Sequence, residues 1–317
     1  MRFLCPACRT PMDEKDSMLL CPSCGSTGTR EGAIVWFCHR DEFYGELTRP
    51  QMKQLLELAE REGWRDAVAT YVTAVNPGLV RTIEHPHRLN GILDAGPSLM
   101  DAVVLDYGCG LGGVCIPLAG LCKETVGVDG CLERLRFTAL RAEQEGLEKL
   151  TLVLHDDAMR LPFPDHSFDL AILNLVLPYL PSAYPDMSRW SAERAILAEF
   201  RRVIRPGGVL YLAERNRTSV YCWSRLGLPT TTRRSYGHRQ YLRLLREAGF
   251  SDVSFRWLIP DYKTPSHVID LDQPYHSICR ELDAVSEFPK IKKTFFKFIA
   301  RVSSYWMAHV LGIVARA

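Results

Sequence analysis

The chain has 317 residues, 47% of them hydrophobic, and a net charge of +2, which suits one α/β domain of ordinary size plus appendages and argues against global disorder. No run of 18 uncharged apolar residues occurs, so a membrane-spanning helix is not expected. The start, Met1-Arg-Phe-Leu-Cys-Pro, has no signal-peptide apolar region, so a cytoplasmic protein is expected.

Charge is unevenly distributed. Residues 1–200 carry 19 Lys and Arg against 28 Asp and Glu, whereas residues 201–317 carry 20 against 9. A basic last third suits an anionic substrate, a nucleic acid or a membrane surface; a solvated basic face has the same composition.

Residues 1–38 read as a knuckle-and-turn module without helical period. Eleven cysteines in a reducing compartment do not make a disulfide framework. Four of them, Cys5-Pro-Ala-Cys8 and Cys21-Pro-Ser-Cys24, have the two-residue spacing that lets each pair reach one ion, and two pairs complete a tetrahedral structural zinc site. Gly25 permits the positive φ of the second turn. Cys38-His39 is a weaker alternative source of ligands.

Thr48-Arg-Pro-Gln51 opens a helix, with Thr48 as cap, Pro50 in the first turn and Gln51 as capping-box partner; Leu55, Leu56 and Ala59 follow at helical spacing and Gly63 stops it. Residues 75–100, with Asn76-Pro-Gly, His85-Pro-His87 and Gly96-Pro, read as a linker or lid without regular structure.

From Ala102 strands and helices alternate. Strands are expected at 103–106, 125–129, 150–154, 168–175, 209–213 and 253–258, with a possible seventh at 310–315. Helices are expected up to about Cys122 and at 132–144, 192–204 and 240–248. This order predicts an α/β domain with a parallel sheet covered on both faces. The stretch 260–306 is too long for a plain connection and is expected to have its own structure. Its part 290–301 sets apolar residues among five cations, the pattern of a basic amphipathic helix that packs on its own domain or makes peripheral membrane contact. The expected division is a zinc ribbon over 1–45, a helical linker or lid over 46–100, and a catalytic domain over 101–317 with an insertion at about 260–306.

Val103-Val-Leu-Asp106-Tyr-Gly108-Cys-Gly110-Leu-Gly112-Gly113 is a strand running into a glycine turn that lets a ligand approach the backbone. By itself it also satisfies a dinucleotide fingerprint, with Asp129 at the distance of a ribose-binding acid. Asp106 would repel a pyrophosphate but suits an ammonium group. Asp156-Asp157-Ala158 follows the third strand, Leu161-Pro-Phe-Pro-Asp-His-Ser-Phe-Asp169 comes after it, and Arg205-Pro-Gly-Gly208 leads into an apolar strand.

Together these residues resemble the class I S-adenosylmethionine (SAM) dependent methyltransferases over about 102–258, with a closing strand at 310–315. The resemblance implies a Rossmann-like seven-stranded sheet whose last strand is antiparallel. It implies that Gly108, Gly110 and Gly112, with Asp106, shape the pocket for the amino-acid end of SAM. Asp129 would hold the ribose, Asp157 and Ala158 the adenine, and Asn174 would line the pocket. Gly113 also fits a packing role, Asp156 and Asp157 are interchangeable in this reading, and Asp169 reads as a turn cap.

SAM chemistry needs a general base only when the acceptor must lose a proton early. His155, His166, Tyr179 and His238 are candidates, none of them decisive. Asn174-Leu-Val-Leu-Pro-Tyr179 differs from the Asn-Pro-Pro-Tyr tetrad of enzymes that methylate amino groups of nucleic acids. The segments 137–146, 211–217 and 259–265 resemble bacterial methyltransferases associated with surface polysaccharides, which implies a small-molecule or saccharide-type acceptor. Arg215, Arg217, Arg233 and Arg234 could clamp its anionic group beside Tyr179, Trp223, Tyr236 and Tyr262. The cysteine spacing also resembles zinc-bearing rRNA guanine methyltransferases, which implies an rRNA or tRNA base as the alternative acceptor. The ribbon argues against it, because Arg2, Arg9, Lys15 and Arg30 are balanced by Asp13, Glu14, Asp16 and Glu31. A third reading is a non-catalytic, zinc-dependent scaffold of the same fold.

Overall fold

The computed structural model describes residues 2–37, 43–95, 98–223 and 234–317, so Cys38-His39 and Arg233 fall outside it. The chain divides into two compact units: 1–85, 97–172 and 202–208 form the first, and 86–96, 173–201 and 209–317 the second.

The first unit begins with β1 (Asp13–Lys15), β2 (Met18–Leu20), β3 (Thr27–Glu31) and β4 (Ile34–Trp36), paired antiparallel in that order. Asp16 and Ser17 both have positive φ (50° and 65°), which gives the two-residue β1–β2 turn the twist that matches the strands. After them come β5 (Val103–Tyr107), β6 (Glu124–Asp129) and β7 (Leu150–Leu154), almost wholly buried, as parallel strands covered on both faces must be. β5, β6 and β7 pair in parallel, and β4 joins β7 in parallel, with Ile34, Val35 and Trp36 opposite Leu152, Val153 and Leu154. The ribbon therefore continues the sheet.

The helix Arg49–Glu62 starts where expected. The Thr48 hydroxyl accepts from the Gln51 amide, the Gln51 side chain accepts from the Thr48 amide at 2.8 Å, and Gly63 ends the helix at φ 91°. Met52, Leu55 and Ala59 are its buried face, in a core that includes Trp64, Val68, Leu79, Ile83, Leu111 and Phe137. Gln144, near the end of the helix Leu132–Gln144, accepts from the Trp64 amide and donates to the Ala59 carbonyl. The linker helices as far as Ile83 are thus part of the first unit's core.

Residues 75–100 depart from the irregular structure expected of them, because helices form at Pro77–Ile83 and Asn90–Ala95. Pro77 takes the first helical turn, where its missing N–H costs nothing, and Leu79 and Ile83 are buried. Segments of six or seven residues between turn formers are too short to show a period in sequence; burial decides them.

β8 (Phe168–Asn174) and β9 (Ile204–Arg215) have residues in both units. The second unit continues with the helix His238–Glu247, β10 (Ser251–Ile259), β11 (His267–Asp270) and β12 (Val310–Arg316). β12 runs antiparallel to both β9 and β10, as the resemblance implies for a last strand. The stretch 260–306 does hold structure of its own: β11, antiparallel to β10, and the helices Tyr275–Ala284 and Lys290–Val302. The seven expected strands are present, and five more join them among the described residues, four from the ribbon and one from the stretch 260–306.

His309, just before β12, packs its ring 4.9 Å from Tyr221. Burial pushes its pKa down to about 4. The unfolded chain then binds a proton near pH 6.5 that the folded chain refuses until about pH 4. Stability is fully present above pH 6.5 and falls as pH drops towards 4, by up to about 3 kcal/mol from this residue. Urea midpoints at pH 7 and pH 4.5 should converge in His309→Gln relative to the wild type.

Candidate cofactor and metal sites

Asp129 ends β6 and is 2% exposed. The Gly110 amide donates to its Oδ2 at 2.9 Å, and the Cys131 amide to its Oδ1 at 3.0 Å. The Gly108 and Cys109 amides donate to the Val128 carbonyl at 2.7 and 3.0 Å, so the turn after β5 is laced onto the end of β6. Gly108, Gly110 and Gly112 all have positive φ (77°, 57° and 80°), a region other residues rarely enter. Asp106 is buried in β5 opposite Gly127.

The His155 amide donates to the Asp129 carbonyl, which brings the end of β7 beside Asp129. Asp157 accepts from the Met159 amide at 3.0 Å, a local turn, with Ala158 buried next to it. Asp156 lies beside Gly130: a Cβ at Gly130 would lie 3.5 Å from the Asp156 Cβ. The first unit thus brings Asp106, the three glycines, Asp129, Asp157 and Ala158 to the carboxyl ends of three adjacent parallel strands, where ligands of open α/β sheets bind. Asn174 ends β8 in the second unit, and its Oδ1 is buried without a hydrogen-bond partner among the described residues.

Two residues of this site escaped the sequence reading. The Tyr44 hydroxyl donates to Asp129 Oδ1 at 2.8 Å and accepts from the Gly130 amide at 3.0 Å. Arg134 lies against Gly110, 5.8 Å from the Tyr44 ring centre and 3.5 Å from Glu46. Burial alone would lower the Arg134 pKa; the Asp129, Glu46 and Tyr44 neighbours more than reverse this. Tyr44 precedes the first helix with no motif around it, so its reach to Asp129 is purely tertiary. Arg134 stands one turn into the helix after Asp129, which was the one available signal.

Gly113 has a packing role. A Cβ there would run into the Thr82 carbonyl oxygen. Backbone cannot yield as a side chain can, so Gly113→Ala should cost about 1–3 kcal/mol, read as a lower urea midpoint. Asp169 ties the fold as well: it accepts from the Val103 amide at 2.8 Å and pairs with Arg205 at 2.6 Å.

Among the proton-transfer candidates, His166 contacts the Ile204 carbonyl through Nδ1 at 3.1 Å, and Tyr179 is exposed. His155 is buried beside Asp129, and His238 stacks on Tyr305 at 4.0 Å. In the second unit the Arg217 amide donates to the Tyr236 carbonyl, and Arg88 reaches the Tyr262 carbonyl at 3.0 Å.

The ribbon cysteines converge. The sulfurs of Cys5, Cys8, Cys21 and Cys24 all lie within 4.8 Å of one another, with closest approaches of 3.4–3.5 Å. Tetrahedral zinc with Zn–S near 2.3 Å sets sulfurs roughly 3.8 Å apart, so the donor set fits the ion. The two turns are alike: the Arg9 amide donates to the Cys5 carbonyl and the Gly25 amide to that of Cys21, with φ of 61° and 74°. Contacts with Thr10 lower the pKa of the Cys8 thiol to about 6, whereas burial raises that of Cys21 to about 11.

Residues 105–212 match the family described as a methyltransferase domain. The chain is 29% identical over 187 residues to a sterol 24-C-methyltransferase of Gibberella zeae, covering 57% of this chain and 45% of that protein. It is 26% identical over 179 residues to a demethylmenaquinone methyltransferase of Geobacillus kaustophilus, covering 48% and 72%. It is 32% identical over 117 residues to a ubiquinone biosynthesis O-methyltransferase of Maricaulis maris, covering 37% and 41%. The chain spans less than half the length of the sterol and ubiquinone relatives and 72% of the demethylmenaquinone one. The match thus places a methyltransferase domain at residues 105–212.

Proposed function

We propose that the protein transfers the methyl group of SAM to a small-molecule acceptor and holds a structural zinc ion through Cys5, Cys8, Cys21 and Cys24. The observation that carries the cofactor reading is the buried Asp129 carboxylate, aimed by the Gly110 and Cys131 amides at the carboxyl edge of the sheet. SAM brings a methyl group already activated on sulfonium. The chain's own task is to bind, to orient and to keep water out. In this reading Asp129 accepts from the ribose hydroxyls, while Gly108, Gly110 and Gly112, with Asp106, receive the amino-acid end. Asp157 and Ala158 meet the adenine.

For the acceptor, the names of the relatives favour a sterol- or quinone-type molecule. A second reading, a saccharide or other small anion, is supported by Arg217 beside Tyr236, whose ring is edge-on to Trp190 at 5.5 Å. The test begins with extraction of the purified protein for retained SAM or its demethylated product. Labelled SAM is then offered with quinone and sterol lipids, with saccharides, and with structured RNA. Transfer to the first or second pool selects between the two small-molecule readings. Transfer to RNA, with binding that falls about 10³-fold or more between 50 and 200 mM salt, would replace both. Failure to bind SAM at all would leave the scaffold reading.

A further inference from the structure

The helix Lys290–Val302 is amphipathic in an unusual sense, because its strongest apolar stripe faces outward. Ile291, Phe295, Phe298 and Val302 are 82%, 48%, 65% and 64% exposed. At 3.6 residues per turn, positions 291, 295, 298 and 302 fall in one narrow band about 16 Å long. The opposite side is anchored by Phe296, which is buried 4.9 Å from Trp257 and 5.4 Å from Phe288. A self-packed helix would bury the larger set and expose the smaller. Here one buried aromatic, with the contacts of Lys293 and Lys297 to Asp283, holds the helix to its unit, and four large apolar side chains are exposed.

The surroundings of the stripe are cationic. The helix carries Lys290, Lys292, Lys293, Lys297 and Arg301 and no acid. Lys290, Lys297 and Arg301 flank one side of the stripe by helical geometry, and Lys292 the other. Lys297 is paired with Asp283 at 2.7 Å and Lys293 donates to the Asp283 carbonyl, so Lys290 and Arg301 are left as the exposed cations at the two ends. Val302, the last apolar residue, also lines a cleft of about 620 Å³ that contains His238, Arg239, Gln240 and Ser303.

We propose that this helix is a membrane-docking surface, whose occupant is the headgroup–acyl boundary of an anionic phospholipid bilayer. A convex apolar ridge bordered by cations needs no complementary groove in lipid, whereas a protein partner would have to supply one. A second copy of the chain is disfavoured by charge, since self-pairing would bring like-charged helices together. No helix among the described residues is long and apolar enough to cross a membrane, so the contact is peripheral. The proposal stands on the helix alone and does not rest on the acceptor reading, because its test involves no methyl transfer.

The full-length protein is sedimented with vesicles of phosphatidylglycerol and phosphatidylcholine, and with phosphatidylcholine alone. Binding to the anionic vesicles should exceed binding to the neutral ones and weaken as salt rises. Phe295→Ser/Phe298→Ser should lower it about ten-fold or more, with an unchanged melting curve because both side chains are exposed. Lys290→Gln/Arg301→Gln should lower binding to anionic vesicles and leave neutral ones unaffected. Vesicle binding unaltered by the double phenylalanine change would overturn the proposal. So would absence of vesicle binding together with a dimer that the same change dissociates, which would assign the stripe to a second copy.

Discussion

Asp129→Ala should weaken SAM binding by about 30- to 1000-fold, the equivalent of roughly 2–4 kcal/mol for a lost buried acceptor of two hydroxyls. The wild-type carboxylate is held from two directions by the Gly110 and Cys131 amides, so it is aimed before any ligand arrives. Removing it deletes the proposed ribose acceptor and frees the Gly110 amide of the glycine turn. Tyr44→Phe separates the two contributions, since it removes only the hydroxyl that donates to Oδ1. Titration calorimetry with SAM, beside melting curves of the ligand-free variants, measures both. Unchanged affinity in Asp129→Ala would refute the ribose role, and preference for NAD over SAM would refute the cofactor.

Zinc should be present at one ion per chain, and its loss should damage more than the ribbon. β4 is hydrogen-bonded to β7, the Leu4 amide donates to the Pro162 carbonyl, and Arg160 reaches the Ala7 carbonyl at 3.1 Å. Phe3 packs 5.2 Å from Phe37 and 6.1 Å from Phe163. The ribbon's strands are three to five residues long, and small zinc modules in general do not fold without their ion. Cys5→Ser/Cys24→Ser, or chelation, should therefore expose the edge of β7 and lower the melting temperature by about 10 °C or more. Metal analysis and thermal scans report the two halves of this expectation. A variant that retains zinc, or loses it and melts as the wild type does, would contradict it.

Both expectations join features that were legible in sequence to features that were not. The cysteine pairs, the glycine turn after β5 and the acid ending β6 are local patterns whose chemistry requires those residues at those spacings. The capping box at Thr48 and the stop at Gly63 are likewise local, because a helix end is satisfied within four residues. Central strands were readable because a strand buried on both faces must be an unbroken apolar run. The long β9 was read only in its apolar part, 209–213, because Pro206-Gly-Gly208 resembles a turn and not the start of a strand.

What the chain order could not convey is every contact formed between distant segments of similar local character. The residues around Tyr44 carry no period, yet tertiary packing sets the Tyr44 hydroxyl on Asp129, 85 positions away. The short helices of 75–100 exist because Leu79, Ile83 and Ile92 find buried places, and six or seven residues cannot declare a helical face by themselves. The amphipathic pattern of 290–302 was plain in sequence, but periodicity is symmetric between a face that packs and a face that is exposed. Only the burial of Phe296 and the exposure of Ile291, Phe295, Phe298 and Val302 decide it. Local patterns determined which ion and ligand are proposed for this chain. Packing between segments far apart in sequence, which no local pattern encodes, decided what closes over Asp129, what the ribbon supports and which face the basic helix presents.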